Sequence, residues 1–237
     1  MTDAVILDNI LFNPDFDELC KRLGVIKEEP AVILRELLAE ALPIAKPKVI
    51  FQPVSLVPDG DDGVLLNGTR FDTHIVRTVT DGLNTVNIYF ATCGTELEEW
   101  SETTKGVIMR RYLADGIKER AMRSAVWAMD MYLEKMNDGQ TIIGMNPGSI
   151  IDWNTHDQGR LYHLISPTPE AIGITLTKSN MMKPVQSLSG LRFPSDKGFT
   201  SCQICSRKNC PDRTAPFDPT LYQLNKDAGN VMTDPHA

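Results

Sequence analysis

The chain has 237 residues, 42% of them apolar, and a formal net charge of -7. That length and apolar content can bury a full-sized core without disulfides, and the acidic balance offers no basic footprint for a phosphate backbone or an anionic lipid surface. Nucleic acid and membrane are therefore not expected partners. Five cysteines, and an opening run "MTDAVILDNILFNPDFDEL" with neither a basic leader nor a long apolar segment, point to a cytoplasmic protein with reduced thiols.

In chain order, "NPDFDELCKRLGV" reads as a short helix with Asn13 as N-cap, Pro14 at the first helical position and Gly24 as the stop. "EPAVILRELLAEALPIAKP" repeats that plan between Pro30 and Pro43. "KVIFQPVSLVPDGDDGVLLN" predicts two strands around a turn, with Pro53 marking an edge or a bulge. "RFDTHIVRTVTDG" is β-branched yet also fits helical spacing, so its type stays open. "NTVNIYFATCG" is a strand buried on both faces. Thr95 caps a short acidic helix, and a long helix follows through "VIMRRYLADGIKERAMRSAVWAMDMYLEKM". On that helix Leu113, Ile117, Ala121, Ala125, Ala128, Tyr132 and Met136 draw one apolar stripe, which is core rather than a cofactor site.

An irregular loop "GMNPGSIIDWNTHDQ" leads to a helix at "GRLYHLI" and to short strands in "IGITLTKSN" and "PVQSLSGLRFP". Past Cys210 the chain is rich in Pro and Asp and reads as a wrapping arm or a loose tail. Strands grouped apart from helices indicate an α+β fold.

The stretch "SCQICSRKNCPD" sets Cys202, Cys205 and Cys210 in the pattern C-x2-C-x4-C-P. Three thiolates so close together repel unless a cation neutralises them, and Arg207, Lys208 and Arg213 would lower the thiol pKa values and offset an anionic cluster. The expected occupant is an iron–sulfur cluster, such as [4Fe–4S], with Cys93 at the end of its strand as fourth ligand. Structural zinc held by the same cysteines is the alternative, and would make the chain a non-catalytic interaction module. Cys20 reads as core. A disulfide has the least support, because compartment and odd count both oppose it.

Other patterns carry less. "DTHIVR" begins like a cobalt-ligating D-x-H-x-x-G signature, but Arg77 stands at the glycine. His156 and His163 are seven apart rather than at metal-ligand spacing, and no dinucleotide, P-loop or esterase motif occurs. Asp152 and Trp153 read equally as pocket lining or as turn and cover residues.

The order "LADGIKE", "NPGS" and "IGITLTKSNMMKPVQSLSGLRF" resembles the C-terminal activation domain of cobalamin-dependent methionine synthase and stand-alone proteins of that family. The resemblance runs over residues 106 to 204. It implies an antiparallel sheet with flanking helices, and leaves outside it an N-terminal α+β extension over 1–105, packing on the core, and a cysteine-bearing arm over 205–237 that the methionine synthase domain lacks. It also implies a function. The family presents S-adenosylmethionine to a corrinoid whose cobalt has left the active oxidation state, and reductive methylation restores it. The implied partner is a corrinoid protein or cobalamin-dependent methyltransferase. Carried over by position, the family's helix acid falls on Glu119 and its loop Arg-Pro-Ala-Pro-Gly-Tyr on "GMNPGS", which keeps Pro147 and Gly148 but has Ser149 for the tyrosine and no arginine. The final aromatic falls on Phe199. Loss of an arginine that pairs with a ligand carboxylate costs about 2–5 kcal/mol, so S-adenosylmethionine is expected to bind weakly here.

Overall fold

The computed structural model describes residues 3–150, 152–195, 199–205, 208, 210 and 213–223. Its elements are β1 (Val5–Leu7), α1 (Phe16–Leu23), α2 (Glu28–Ala41), β2 (Lys48–Asp59), β3 (Gly63–Leu66), β4 (Thr69–Asp72), α3 (His74–Val79), β5 (Thr85–Thr92), α4 (Thr95–Ser101), α5 (Ile108–Met136), β6 (Ile142–Met145), α6 (Asp157–Tyr162), β7 (Thr175–Leu176), β8 (Met182–Lys183) and β9 (Ser187–Pro194).

Seven strands form one antiparallel sheet in the order β4-β3-β2-β5-β9-β6, with β1 paired to the first part of β2. The small hairpin β7-β8 stands apart. β5 lies between β2 and β9, which explains its burial on both faces. Alternate residues of the sheet feed two cores. Val49, Phe51, Tyr89, Ala91 and Cys93 join the helix layer of α1, α2 and α5. Ile50, Ile88, Phe90, Leu191 and Phe193 face the opposite layer, where α3, α6 and the loop around Trp153 pack. The fold is thus α+β, as expected.

Local corrections have physical causes. The N-cap of α1 is Asp15, not Asn13: its side chain accepts the Glu18 N–H at 2.7 Å, while Gly24 ends the helix at φ +66°. Pro53 stands at a local edge of β2 and not at a bulge. Ser55 turns its N–H to the Asn67 side chain on the outer side of β2, so Pro53, two residues earlier, also faces outward, into the gap between the partners β1 and β3. Its missing donor leaves no ladder bond unmade. "THIVRTV" is helical because Thr73 caps it: the hydroxyl accepts the Val76 N–H at 3.3 Å.

Along α5 the buried side does not follow the expected stripe to its end. Leu113, Ile117, Ala121 and Ala125 are buried, but Tyr132 and Met136 are exposed and Met122, Val126, Met129 and Leu133 take over. Steps of four overshoot a 3.6-residue turn, and the sheet beneath is twisted, so the covered face moves round the helix.

Candidate functional site

Glu119 sits midway along α5 and is already engaged. Arg22 of α1 brings Nη2 within 2.9 Å of both carboxylate oxygens and Nε within 3.1 Å of one, and Arg123 adds Nε at 2.9 Å. The Arg22 side chain is only 12% exposed. Glu119 is therefore a clasp between α1 and α5.

Pro147 and Gly148 follow β6 in a loop closed on itself. Gly148 has φ +79°, donates its N–H to the Trp153 carbonyl at 2.8 Å, and leaves no room for a Cβ against the Thr155 hydroxyl. Asn146 anchors the loop by donating to the Ser189 carbonyl at 2.6 Å and to the Tyr89 hydroxyl. Phe199 packs against the core on the sheet face opposite α5. Of the four expected cleft residues, Pro147 and Gly148 share the loop after β6, Glu119 lies on α5, and Phe199 packs against the core that also takes Ile150 and Trp153 of that loop. Asp152 caps α3, accepting the Ile75 N–H at 2.9 Å, and Trp153 is buried.

The structure points to residues that spacing alone does not. Gly144 is the position at which the resemblance leads to the expectation of an arginine, and the guanidinium of Arg192, from the paired position on β9, lies over it. Arg192 is 7% exposed, donates Nε to Asp130 at 2.8 Å and lies 4.4 Å from the Tyr89 ring centroid. Burial pushes the Asp130 carboxyl up despite the opposing pull of Arg192. Asp130 also lines a groove of about 440 Å³ between α5 and the segment before α1, with Phe12, Arg120, Arg123 and Trp127 on its walls. A second groove of about 410 Å³ shares Leu11, Ser124 and Trp127, and Trp127 is 67% exposed. A polar path thus runs from the groove through Asp130, Arg192, Tyr89 and Asn146 to the Pro147 loop. The signal that was available in sequence was Arg192 between the apolar Leu191 and Phe193.

A third cavity, of about 520 Å³, is bordered by Glu98, Glu99, Glu102, Lys105 and Lys183. Beneath it Lys118 is buried, with Nζ 3.0 Å from Glu98, 3.0 Å from Asp115 and 2.9 Å from the Ser101 hydroxyl. Burial disfavours its charge, but the two carboxylates outweigh burial and raise its pKa.

Cys93 is fully buried in the helix-side core, where burial pushes its thiol up to about 12. Cys202, Cys205 and Cys210 are half-buried. "SCQI" is one turn of 3₁₀ helix, Ser201–Ile204. Ile204 inserts into the far core, and the Ser201 hydroxyl donates to the Gly144 carbonyl of β6 at 3.0 Å. The Cys202 sulfur accepts the N–H and the hydroxyl of Thr214, each at 3.4 Å. Burial raises the Cys202 pKa, but these donors and the Arg213 charge outweigh it and hold the thiol below its ordinary value. Arg213 ties the loop together by donating to the carbonyls of Cys202 at 2.8 Å, Cys205 at 3.0 Å and Ala215 at 3.3 Å. Lys208 is exposed, and Arg207 lies outside the described residues.

A four-thiolate centre needs four sulfurs around one point. Cys93 lies in the helix-side core, whereas Ile204, between Cys202 and Cys205, packs into the core on the other face, and among the described residues no three Cys, His, Asp or Glu side chains are grouped to hold a metal ion. This arrangement does not fit the iron–sulfur or zinc set expected with Cys93 as fourth ligand.

No protein-family model matches the chain, and no curated protein matches it in sequence. Its class is a mixed α+β domain, one antiparallel sheet with flanking helices. Among solved structures it is similar to the MetH reactivation domain bound to AdoHcy, with a TM-score of 0.57 and 11% identity over 85% of this chain and 82% of that one. That likeness is one of fold. Among the described residues no helix is long and apolar enough to cross a membrane.

Proposed function

We propose that the chain is an accessory domain in cobalamin-dependent methyl transfer, docking on a corrinoid protein or cobalamin enzyme and helping to return its cobalt to an active state. The observation that carries this reading is the fold match over most of both chains, together with the motif stretch "IGITLTKSNMMKPVQSLSGLRF". That stretch builds β7, β8 and β9, and β9 is a central strand of the sheet. The neighbour holds AdoHcy. Here the corresponding acid, Glu119, is tied to Arg22 and Arg123, and the guanidinium over Gly144 is bound to Asp130. Weak affinity for S-adenosylmethionine follows.

Docking is tested by anaerobic size-exclusion and calorimetry of the purified chain with a corrinoid protein loaded with Co(II). A stable complex is expected, and no binding in either the Co(II) or the Co(III) state contradicts the proposal. Calorimetry with S-adenosylmethionine is expected to show no micromolar site. Micromolar affinity would overturn the view that Glu119 and Arg192 are already committed.

A further inference from the structure

The cysteine turn fails as a four-thiolate site, yet its geometry suits another chemistry. The Cys205 N–H bonds the Cys202 carbonyl at 3.4 Å, an i to i+3 closure that brings the two Cα atoms within about 7 Å, and a disulfide spans roughly 4.4–6.8 Å. A 3₁₀ turn also eclipses the side chains at i and i+3. The sulfur of Cys202 faces two donors from Thr214, a setting for a sulfur that carries negative charge. Arg213 grips the carbonyls at both ends of the turn.

We propose that Cys202 and Cys205 form a reversible dithiol–disulfide couple that exchanges with disulfides of small thiols, Cys202 being the attacking sulfur. The Cys202 thiolate attacks one sulfur of R–S–S–R. That S–S bond breaks, R–S⁻ leaves and takes a proton from solvent, and Cys202 carries a mixed disulfide. Cys205, giving its proton to solvent, then attacks the Cys202 sulfur, and the second R–S⁻ departs and is protonated. Two electrons pass from the protein dithiol to the small disulfide, which ends as two thiols. Hydrogen bonds from Thr214 stabilise Cys202 as attacking and as leaving sulfur, while Arg213 holds the turn closed in both states. A labile dithiol of this kind is compatible with a reducing compartment, where a structural disulfide is not.

The test treats the full chain, reduced and freed of reductant, with oxidised glutathione. The expected product has lost two hydrogen masses, and peptide mapping places the bond between Cys202 and Cys205. Cys205→Ser should accumulate one glutathione on Cys202, and Cys202→Ser should accumulate none on Cys205. Thr214→Val should slow adduct formation about threefold, because losing one hydrogen bond to a charged acceptor lowers the thiolate fraction about tenfold while the rise in nucleophilicity offsets about half of that, with its circular dichroism spectrum unchanged. A bond that includes Cys210 in place of either residue, an adduct first on Cys205, or an unaltered rate in Thr214→Val overturns the proposal. So does stoichiometric iron or zinc that protects all three thiols from alkylation until a chelator removes it.

Discussion

The carboxylate of Glu119, expected from the resemblance to border a ligand cleft, is engaged in holding two elements together. Two arginines hold it, and Arg22 is the more buried of its partners. Glu119→Gln keeps the shape but leaves Arg22 short of a charged acceptor, at a cost of about 1–3 kcal/mol. The expected result is a lower denaturant midpoint with an unchanged slope, and an unaltered midpoint would make Glu119 a candidate ligand group again. Cys93 carries a pH signature instead. Its folded pKa, about 12, lies above the ordinary value of 9, so the unfolded chain loses that proton first. Stability should fall as pH rises from 9 towards 12, by up to about 1.4 kcal/mol per pH unit from this thiol. Cys93→Ala should show a shallower alkaline decline, measured as the difference in unfolding free energy between the two proteins. Equal slopes would mean the thiol is not buried as described. Any metal content should also be the same in both, since Cys93 lies in the helix-side core and Ile204 of the cysteine turn in the other.

At the scale of elements, β6 and β9 meet through glycines. A Cβ at Gly190 would run into the Met145 carbonyl and the Asn146 side chain, and backbone cannot step aside as a flexible side chain does. Gly190→Ala should therefore cost about 1–3 kcal/mol or more, read by thermal unfolding, with near-neutral behaviour contradicting the close approach. Much of the element order was legible because it rests on local chemistry: Gly24 as a stop, the β-branched run of β5, the turn between β2 and β3. What stayed hidden depends on tertiary partners. β6 is four residues, "IIGM", too short to show a period, and becomes a strand by pairing with β9. "TSCQI" alternates like a strand, yet Gln203 accepts the Thr200 N–H at 2.8 Å and the segment coils into a turn. The site was legible as residue types but not as a constellation. Spacing could not show that Cys93 and Ile204, the neighbour of Cys205, fall on opposite faces of one sheet, nor that Arg192 from the next strand covers Gly144.

For the whole molecule, the central strands come from both ends of the chain: β2 and β5 lie before residue 105, β9 after residue 180. A fragment covering 106–204 alone lacks two of the three middle strands and leaves β9 with an open edge. It should be unfolded by circular dichroism and by dispersion of its proton spectrum, whereas a folded fragment would show that the N-terminal part is a separable extension.

If the chain assists the recovery of cobalt in a partner protein, the cobalt itself should report it. The visible spectrum of a Co(II) corrinoid protein, kept anaerobic with a low-potential reductant and an excess of S-adenosylmethionine, is followed with and without the full chain. The Co(II) band should decay faster when the chain is present, in proportion to the complex formed. Decay at the same rate with and without the chain, under conditions where the two proteins are bound, would contradict the proposed function.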